Sequence, residues 1–478
     1  MSSGSGWRRT DGFRISWSVT MADRPNVLLV ISDQQRPDTM GFRGETPCRT
    51  PHLDGLARDG TSFDRAMTPC PLCLPARASL FTGLYPHEND MLDNQTSSLT
   101  ECQLLDLFRA NGYEVSYAGK WHMGHDNIGR FTDRDAGDST RDYSAWCREQ
   151  GLVDGWTFND PRVRTHRTPS MSTPVALPLD MPPQKTNDAY IADFAIEQLR
   201  TRDVTRPFFQ VCAFNGPHPP FMIPEPYFSM YDPADVVEPR NFGPQPGEPE
   251  VNRTSYYRRL FLDHGVDFDV WRKSFAVYWG FCSLIDDQLG RVLSELDRQG
   301  ITDDTIILFL SDHGENLGAH GLWHKMVAYE DSIRVPMVWR WPGGLPSGMR
   351  TDAPVSLIDV APTLAGLCGL EARKDWRGLD LSSGMPPSDR PLFALHRPLG
   401  DWMGAESWRM IEIDRMKLVW HKGGAQELYD LRADPFETDN LAAGDRSQER
   451  VAVMMEHLIA QMSACNDPLT ETAMAGAA

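Results

Sequence analysis

The sequence predicts an α/β fold with a largely parallel sheet. Strand-like and helix-like patterns alternate along the 478 residues, as they do in βαβ units. The strand-like segments are nearly continuous apolar runs, which is typical of strands covered by helices on both faces. The chain is also long enough for a large core and a second, smaller unit.

Four segments are predicted to be strands of that sheet. Residues 26–31 read Asn-Val-Leu-Leu-Val-Ile, and residues 207–214 and 305–311 are similarly rich in apolar and aromatic side chains. Residues 113–118 give a weaker strand pattern because polar side chains interrupt it.

Six helices are predicted between and after these strands, at residues 52–59, 75–82, 101–111, 188–200, 276–299 and 358–368. In the fifth helix, apolar side chains from Phe281 to Leu293 recur at helical spacing, so that face is expected to pack in the core. Asp286 and Asp287 lie beside this stripe and are expected to face solvent.

Changes of pattern divide the chain into three regions. We predict an N-terminal extension at residues 1–24, a catalytic domain at 25–375 and a smaller C-terminal α+β subdomain at 376–478. Within the last region, Arg409–Trp420 predicts a hairpin-like pair of strands and Val451–Met462 a closing helix.

Three segments show no clear periodicity. Residues 124–186 and 215–270 are rich in Pro, Asp, Arg and aromatic side chains, and such segments usually line or cover an enzyme site. Residues 468–478 are small and polar, and we expect a mobile tail or an oligomer arm. Several aromatic side chains are expected mainly to pack rather than to form a pocket for an organic group: Trp146, Trp156, Tyr256, Tyr257 and Trp402.

Charge and cysteine usage narrow the function. A net charge of −19 argues against a nucleic-acid partner and disfavours a heavily sulfated polymer, although a local basic pocket can still bind one anionic group. No apolar run is long enough to span a membrane, so no membrane partner is expected. The nine cysteines are odd in number and show no paired spacing, which favours a reducing compartment. Residues 1–20 also show no apolar signal segment, so a cytoplasmic setting is predicted.

The most informative stretch is residues 73–83, Cys-Leu-Pro-Ala-Arg-Ala-Ser-Leu-Phe-Thr-Gly. A Cys-x-Pro-x-Arg core alone would recur by chance in roughly one chain in fifty. Alone it would also fit a helix start with a proline in its first turn and a buried cysteine. Together with its Leu-x-Thr-Gly tail, however, the stretch resembles the signature of the type I sulfatases. The resemblance extends over about residues 25–445.

That resemblance implies an alkaline-phosphatase-like fold and a modified nucleophile. In the family the cysteine at the position of Cys73 is oxidised to formylglycine, and the hydrate of this aldehyde attacks the sulfate ester. A formylglycine-generating enzyme is therefore an expected partner during maturation, and the implied substrate is a small sulfated molecule. Arg77 is implied to balance charge on the sulfuryl oxygens.

Two polar pairs follow predicted strands. Asp33 and Gln34 come directly after the first strand, and Asp312 and His313 after the strand 305–311. Ligands of open α/β sheets lie beyond the carboxyl ends of the strands. Either pair alone fits a turn or a helix cap equally well, but both together resemble the sulfatase metal site, in which position 73 is a further ligand.

The metal set departs from the family's common pattern. Gln34 stands where many sulfatases have a second Asp, and His313 stands where many have Asn. An amide and an imidazole shift the expected metal from Ca²⁺ towards Mn²⁺ or Mg²⁺, so one divalent cation of these three is expected.

Three further segments resemble catalytic segments of the family. Gly119 to Gly124 reads Gly-Lys-Trp-His-Met-Gly, which implies that Lys120 binds a sulfate oxygen and that His122 takes a proton from the hydrate. Pro-His-Pro-Pro-Phe implies a leaving-group role for His218, and Gly-Leu-Trp-His-Lys implies a second catalytic lysine at Lys325.

Other histidines in these segments receive no role. The family usually has Asp where this chain has Ala319, so His320 is left without a function. His125 and His324 are expected to be surface side chains rather than ligands.

The predicted function is hydrolysis of sulfate monoesters, similar to that of an arylsulfatase. Three alternatives remain: a phosphonate monoester or phosphodiester hydrolase, a sulfamidase, and a binding protein that has lost catalysis. Lys120 and His122 favour sulfate, because the resemblance implies that phosphonate hydrolases share the Asp-Gln and Asp-His pairs and the Pro-His-Pro-Pro-Phe loop but lack Lys-Trp-His. Cytoplasmic relatives often assemble, so a homo-oligomer is expected.

Overall fold

The structure is a computed structural model that describes residues 24–94, 99–124, 127–134, 137–138, 141–152, 176–398, 406–444 and 447–477. Several predictions concern residues outside these ranges. They are the N-terminal extension up to residue 23, the side chains His125, Trp156 and Trp402, and parts of the segment 124–186.

A large mixed sheet forms the centre of the fold. The strands up to residue 356 are β1 Asn26–Ser32, β2 Thr61–Met67, β3 Glu114–Gly119, β4 Gly137–Asp138, β5 Ala176–Pro178, β6 Phe208–Ala213, β7 Phe221–Ile223, β8 Thr305–Ser311, β9 Met337–Arg340 and β10 Met349–Ser356. Among the described residues, eight of them form one sheet in the order β10-β2-β9-β8-β1-β6-β3-β4, while β5 pairs with β7. Every pairing in the large sheet is parallel except the two that β9 makes. The prediction of a largely parallel sheet, with all four of its strands, is confirmed.

Helices before residue 370 cover both faces of this sheet, and two more belong to the C-terminal region. They are α1 Pro51–Arg58, α2 Cys73–Thr82, α3 Gln103–Ala110, α4 Arg141–Glu149, α5 Asn187–Arg200, α6 Glu250–Thr254, α7 Tyr256–His264, α8 Phe268–Gln299, α9 Glu330–Ile333, α10 Val360–Leu367, α11 Gln448–Ala464 and α12 Thr470–Ala477. Each of the six helices predicted before residue 370 is present. Helix α8 begins eight residues earlier than predicted, because the Asp267 side chain caps its first turn. No helix in the described ranges is long and apolar enough to cross a bilayer.

Alternate side chains of β1 enter two separate cores. Val27, Leu29 and Ile31 pack with α2, α3 and α10 on one face of the sheet. Leu28 and Val30 pack with α1, α5 and α8 on the other face. Burial on both faces explains why this strand is a continuous apolar run rather than an alternating one.

The C-terminal region forms its own antiparallel sheet of β11 Leu392–His396, β12 Trp408–Ile413, β13 Met416–His421 and β14 Gln426–Asp430. The predicted hairpin is confirmed, since β12 and β13 pair from Trp408 with His421 to Ile413 with Met416. Helix α11 packs on one face and confirms the predicted closing helix. The boundary predicted at residue 375 falls between α10 and β11.

Two expectations about exposed segments are wrong. The tail is not a free arm: α12 covers Thr470–Ala477, Ala473 is buried, and Asp467 just before it forms a buried ion pair with Arg409 at 2.5 Å. Asp286 does not face solvent either. Its carboxylate accepts hydrogen bonds from the backbone N–H groups of His52 (3.0 Å) and Leu53 (2.8 Å) and so caps α1.

Candidate active site

Four neighbouring parallel strands, β8, β1, β6 and β3, end at the same edge of the sheet. Each is followed within a few residues by a predicted site residue: Asp312 after β8, Asp33 after β1, His218 after β6 and Lys120 after β3. The structure brings together every residue predicted for the site: Asp33, Gln34, Cys73, Arg77, Lys120, His122, His218, Asp312, His313 and Lys325.

Cys73 is the first residue of α2, as the sequence predicts. All ten residues of this helix are buried, and the helix ends at Gly83, whose φ of +64° suits glycine. The encoded thiol marks the reaction centre. Its Sγ lies 3.1 Å from His313 Nε2, 3.3 Å from Lys325 Nζ and 3.9 Å from Asp33 Oδ1.

The ligand atoms of Asp33, Cys73, Asp312 and His313 all lie within 4.8 Å of one another, and all four residues are buried. His313 Nδ1 lies 2.9 Å from the Gly314 carbonyl oxygen, which leaves Nε2 facing the cluster. Two carboxylates, an imidazole and the neighbouring Gln34 amide form a donor set that fits one divalent cation.

Gln34 is held in an unusual backbone conformation, with φ of +67°. Its N–H donates to Asp312 Oδ1 (3.1 Å) and its carbonyl oxygen accepts from the Tyr278 hydroxyl (2.8 Å). Its side-chain Nε2 donates to Glu315, and its Oε1 accepts from Lys325. The amide oxygen is thereby held on the Lys325 side of the amide, and Lys325 also contacts Cys73.

Sequence reasoning missed Glu315, which is buried behind Gln34. Its carboxylate also accepts from the N–H groups of Leu317 and His324, both at 2.8 Å. One signal was available: Glu315 is an acidic residue three positions beyond Asp312, at the same strand end. Burial raises the pKa of Glu315, although these hydrogen bonds partly oppose that rise.

Arg77 lies one helical turn after Cys73 and is completely buried. Its guanidinium donates to Asp312 Oδ2 (2.8 Å), Asp33 Oδ2 (3.3 Å) and the Lys120 carbonyl oxygen (2.8 Å). Its three nitrogens thus bind two carboxylates and the backbone of Lys120, the first residue after β3. Burial opposes the charge on Arg77, but the carboxylates of Asp312 and Asp33 raise its pKa above the usual value.

Lys120 and His122 approach Cys73 from the end of β3. The Lys120 ammonium donates to Asp33, and the Tyr117 hydroxyl donates to the Lys120 carbonyl oxygen at 2.6 Å. The His122 imidazole lies beside Cys73, whose negative charge partly opposes the fall in the His122 pKa. Burial and the Lys120 charge lower the pKa of His122, which favours a neutral imidazole able to accept a proton.

The charges around position 73 favour an anion there. Burial raises the pKa of the Cys73 thiol, but Lys120, Lys325 and His313 outweigh burial and hold this pKa well below its usual value. Burial likewise raises the pKa of Asp33, but Lys120, His218 and Arg77 leave it below the usual range. The centre is a buried pocket of fixed cations, suited to an anionic group.

Gly119 allows β3 to approach β6 closely just before Lys120. Its φ is +103°, and a Cβ atom would lie 2.0 Å from the Ala213 carbonyl oxygen, which accepts the Lys120 N–H at 2.9 Å. We therefore expect Gly119→Ala to lower the free energy of unfolding by about 3 kcal/mol and to reduce turnover, because the strand end must shift. Chemical denaturation and kcat measure the two effects.

Gly129 offers a matched control for this prediction. No atom lies within 4 Å of the position where its Cβ would stand. Gly129→Ala should change the free energy of unfolding by less than about 0.5 kcal/mol. Equal effects of the two substitutions would contradict the close approach at Gly119.

The opposite wall of the site carries His218, His324 and Tyr257. His324 was predicted to lie at the surface, but it is buried. Its ring centroid lies 5.8 Å from that of His218 and 5.4 Å from that of Tyr257. The expectation was wrong because residues far away in sequence, in α7 and after β6, cover this loop. Tyr257 packs as expected, with its hydroxyl 2.9 Å from Met326 Sδ.

His320, for which no role is predicted from the sequence, is buried. Its ring stacks on Tyr329 with centroids 3.6 Å apart. Burial lowers the pKa of His320 to about 3, so its imidazole is neutral at ordinary pH.

Comparisons with known proteins agree with this geometry. The sulfatase family profile matches residues 25–370, and the profile described as N-sulphoglucosamine sulphohydrolase, C-terminal, matches residues 318–464. An arylsulfatase from Clostridium perfringens is 28% identical, over 94% of this chain and 96% of the relative.

Two further proteins are similar over most of this chain. The multifunctional alkaline phosphatase superfamily protein PehA of Trinickia caryophylli is 31% identical, over 88% of this chain and 91% of its own length. The crystal structure of a phosphonate monoester hydrolase of Agrobacterium radiobacter superimposes with a TM-score of 0.76 at 26% identity, covering 92% of this chain and 96% of that one.

Proposed function

The chain belongs to the sulfatase family and is a sulfuric ester hydrolase, and we propose that it hydrolyses small sulfate monoesters with a formylglycine nucleophile at position 73 and one divalent metal. The arrangement of charge around Cys73 supports this proposal most strongly. Lys120 reaches the centre from the end of β3 and Lys325 from the segment after β8, and Lys325 Nζ lies 3.3 Å from Sγ. Fixed cations at these places suit the oxygens of a sulfuryl group.

The metal would be held by the ligand set Asp33, Gln34, Asp312 and His313, together with the side chain at position 73. A divalent cation at these donors would favour the ionised form of a nearby hydroxyl group. We propose Mn²⁺ or Mg²⁺ before Ca²⁺, because one amide and one imidazole complete the two carboxylates. Arg77 binds the Oδ2 atoms of Asp312 and Asp33, so the Oδ1 atoms of these carboxylates remain beside His313 and Cys73.

The modified side chain would supply two hydroxyl groups on one carbon, one to attack sulfur and one whose deprotonation releases sulfate. Lys120 and Lys325 hold the sulfuryl oxygens during attack, and their charges balance those oxygens. His218 donates a proton to the departing alcohol as its bond to sulfur breaks. His122, which lies beside the side chain at position 73, takes the proton that sulfate release requires. One water is consumed overall, and the products are the alcohol and sulfate.

A second candidate is phosphonate monoester hydrolysis by the same site. The similarity to the phosphonate monoester hydrolase of Agrobacterium radiobacter covers 92% of this chain. The sequence resemblance described above also implies that this group has the same Asp-Gln and Asp-His pairs. A sulfamidase acting on an N–S bond remains a third candidate, supported by the C-terminal profile match.

Matched substrates test the proposal directly. The protein is produced together with a formylglycine-generating enzyme, and kcat/KM is measured on an aryl sulfate and on the aryl phosphonate monoester with the same leaving group. We expect sulfate to be preferred, since the Lys120 and His122 pair is present, and Lys120→Ala should reduce the sulfate rate more than the phosphonate rate. A preference for phosphonate would contradict the proposal and favour the second candidate.

A further inference from the structure

His324 occupies a backbone position at which a side chain is costly. Its φ is +69°, in the left-handed region that favours glycine. The residue is nevertheless a buried histidine, 4% exposed, directly before Lys325. Strained non-glycine residues beside a reaction centre are found where the side chain itself contributes to function.

The hydrogen bonds of Gln34 fix the tautomer of His324. Lys325 donates to Gln34 Oε1 and Glu315 accepts from Gln34 Nε2, so the orientation of the amide is settled. Gln34 Nε2 lies 3.1 Å from His324 Nδ1, which must therefore accept. The ring proton is left on Nε2, which is buried and has no hydrogen-bond partner among the residues that the structure describes.

This unpaired donor belongs to the same wall of the site as His218. The His324 ring is 5.8 Å from the His218 ring and 5.4 Å from both the Tyr257 and Trp323 rings, centroid to centroid. A buried N–H group without a partner costs free energy that a bound acceptor would recover. In the proposed mechanism Lys120 and Lys325 bind the sulfuryl oxygens, so the acceptor left for this wall is on the alcohol part of the substrate.

We propose that His324 is a further catalytic residue, whose Nε2–H donates a hydrogen bond to the ester oxygen of the departing alcohol. When the S–O bond breaks, its electron pair remains on this oxygen. His218 supplies the proton, while His324 keeps its own proton and stabilises the growing negative charge. This inference rests on the proposed sulfate ester hydrolysis and adds a second donor on the leaving-group side.

His324→Gly tests the proposal, because glycine suits the backbone at this position. We expect kcat/KM to fall about 100-fold for sulfate esters of weakly acidic phenols and only a few-fold for esters of strongly acidic nitrophenols. A plot of log kcat/KM against the pKa of the leaving group should become steeper. The melting temperature should stay the same or rise, since the left-handed strain is removed. Added imidazole should restore part of the lost rate.

His320→Gly is the matched control, since His320 is also a buried histidine with a positive φ (+54°), but its ring stacks on Tyr329. This variant should melt at a lower temperature and keep the slope of the wild type. An equal loss for every leaving group, or a lower melting temperature without a change of slope, in His324→Gly would overturn the proposal. Wild-type protein that cleaves no sulfate ester would instead refute the underlying function.

Discussion

Cys73→Ala should abolish sulfate ester hydrolysis and leave the fold intact. The loss should be at least roughly 10⁴-fold in kcat, because the substitution removes the proposed nucleophile. Removing the thiol leaves only a small void at the start of a buried helix, where the neighbouring cations lose one contact each. Steady-state kinetics and thermal unfolding measure the two quantities separately.

Cys70 provides a control three residues away. It is also completely buried, and burial raises the pKa of its thiol rather than lowering it as at Cys73. Cys70→Ala should therefore keep nearly full activity at a similar or larger cost in stability. Substantial turnover by Cys73→Ala would exclude position 73 as the nucleophile.

Arg77→Met should have the second largest effect, because it changes both stability and activity. The substitution leaves the buried carboxylates of Asp33 and Asp312 without their shared guanidinium, and the Lys120 carbonyl oxygen without a donor. Unpairing a buried ion pair costs about 3 kcal/mol or more. We expect that loss in chemical denaturation, together with a fall in kcat of at least roughly 10³-fold.

Arg409 separates the catalytic effect from the structural one. It is as deeply buried as Arg77 and pairs with Asp467, but it lies in the C-terminal sheet. Arg409→Met should lose comparable stability, while the folded fraction keeps the kcat of the wild type. If both variants lost activity only in proportion to unfolding, Arg77 would have no part in the reaction.

The sequence was sufficient to predict which strands form the parallel sheet and which side chains follow them. Apolar runs mark strands buried on both faces, and the carboxyl ends of such strands meet at one edge. Asp33, Asp312 and Lys120 could therefore be placed together before any coordinates were known, and so could Cys73 at a helix start.

What could not be predicted depends on contacts between distant segments. His324 is buried by Tyr257 and His218, which are 67 and 106 residues away in the chain, so its neighbours in sequence give no sign of burial. Asp286 sits beside an apolar helical stripe and was expected in solvent, yet it caps a helix that begins at Pro51. Helical periodicity predicts which face of a helix is apolar. It does not predict that the end of a distant helix packs against a polar side chain on that helix.

The burial of Cys73 also sets an order of events during biosynthesis. The side chain is 1% exposed, so a second protein cannot reach it in the folded chain. The oxidation to formylglycine that we propose would then precede closure of the sheet edge around α2, and the two processes would compete for the same nascent molecules. A chain that folds first remains a thiol protein, and we expect the active fraction of a preparation to depend on folding rate as well as on the supply of modifying enzyme.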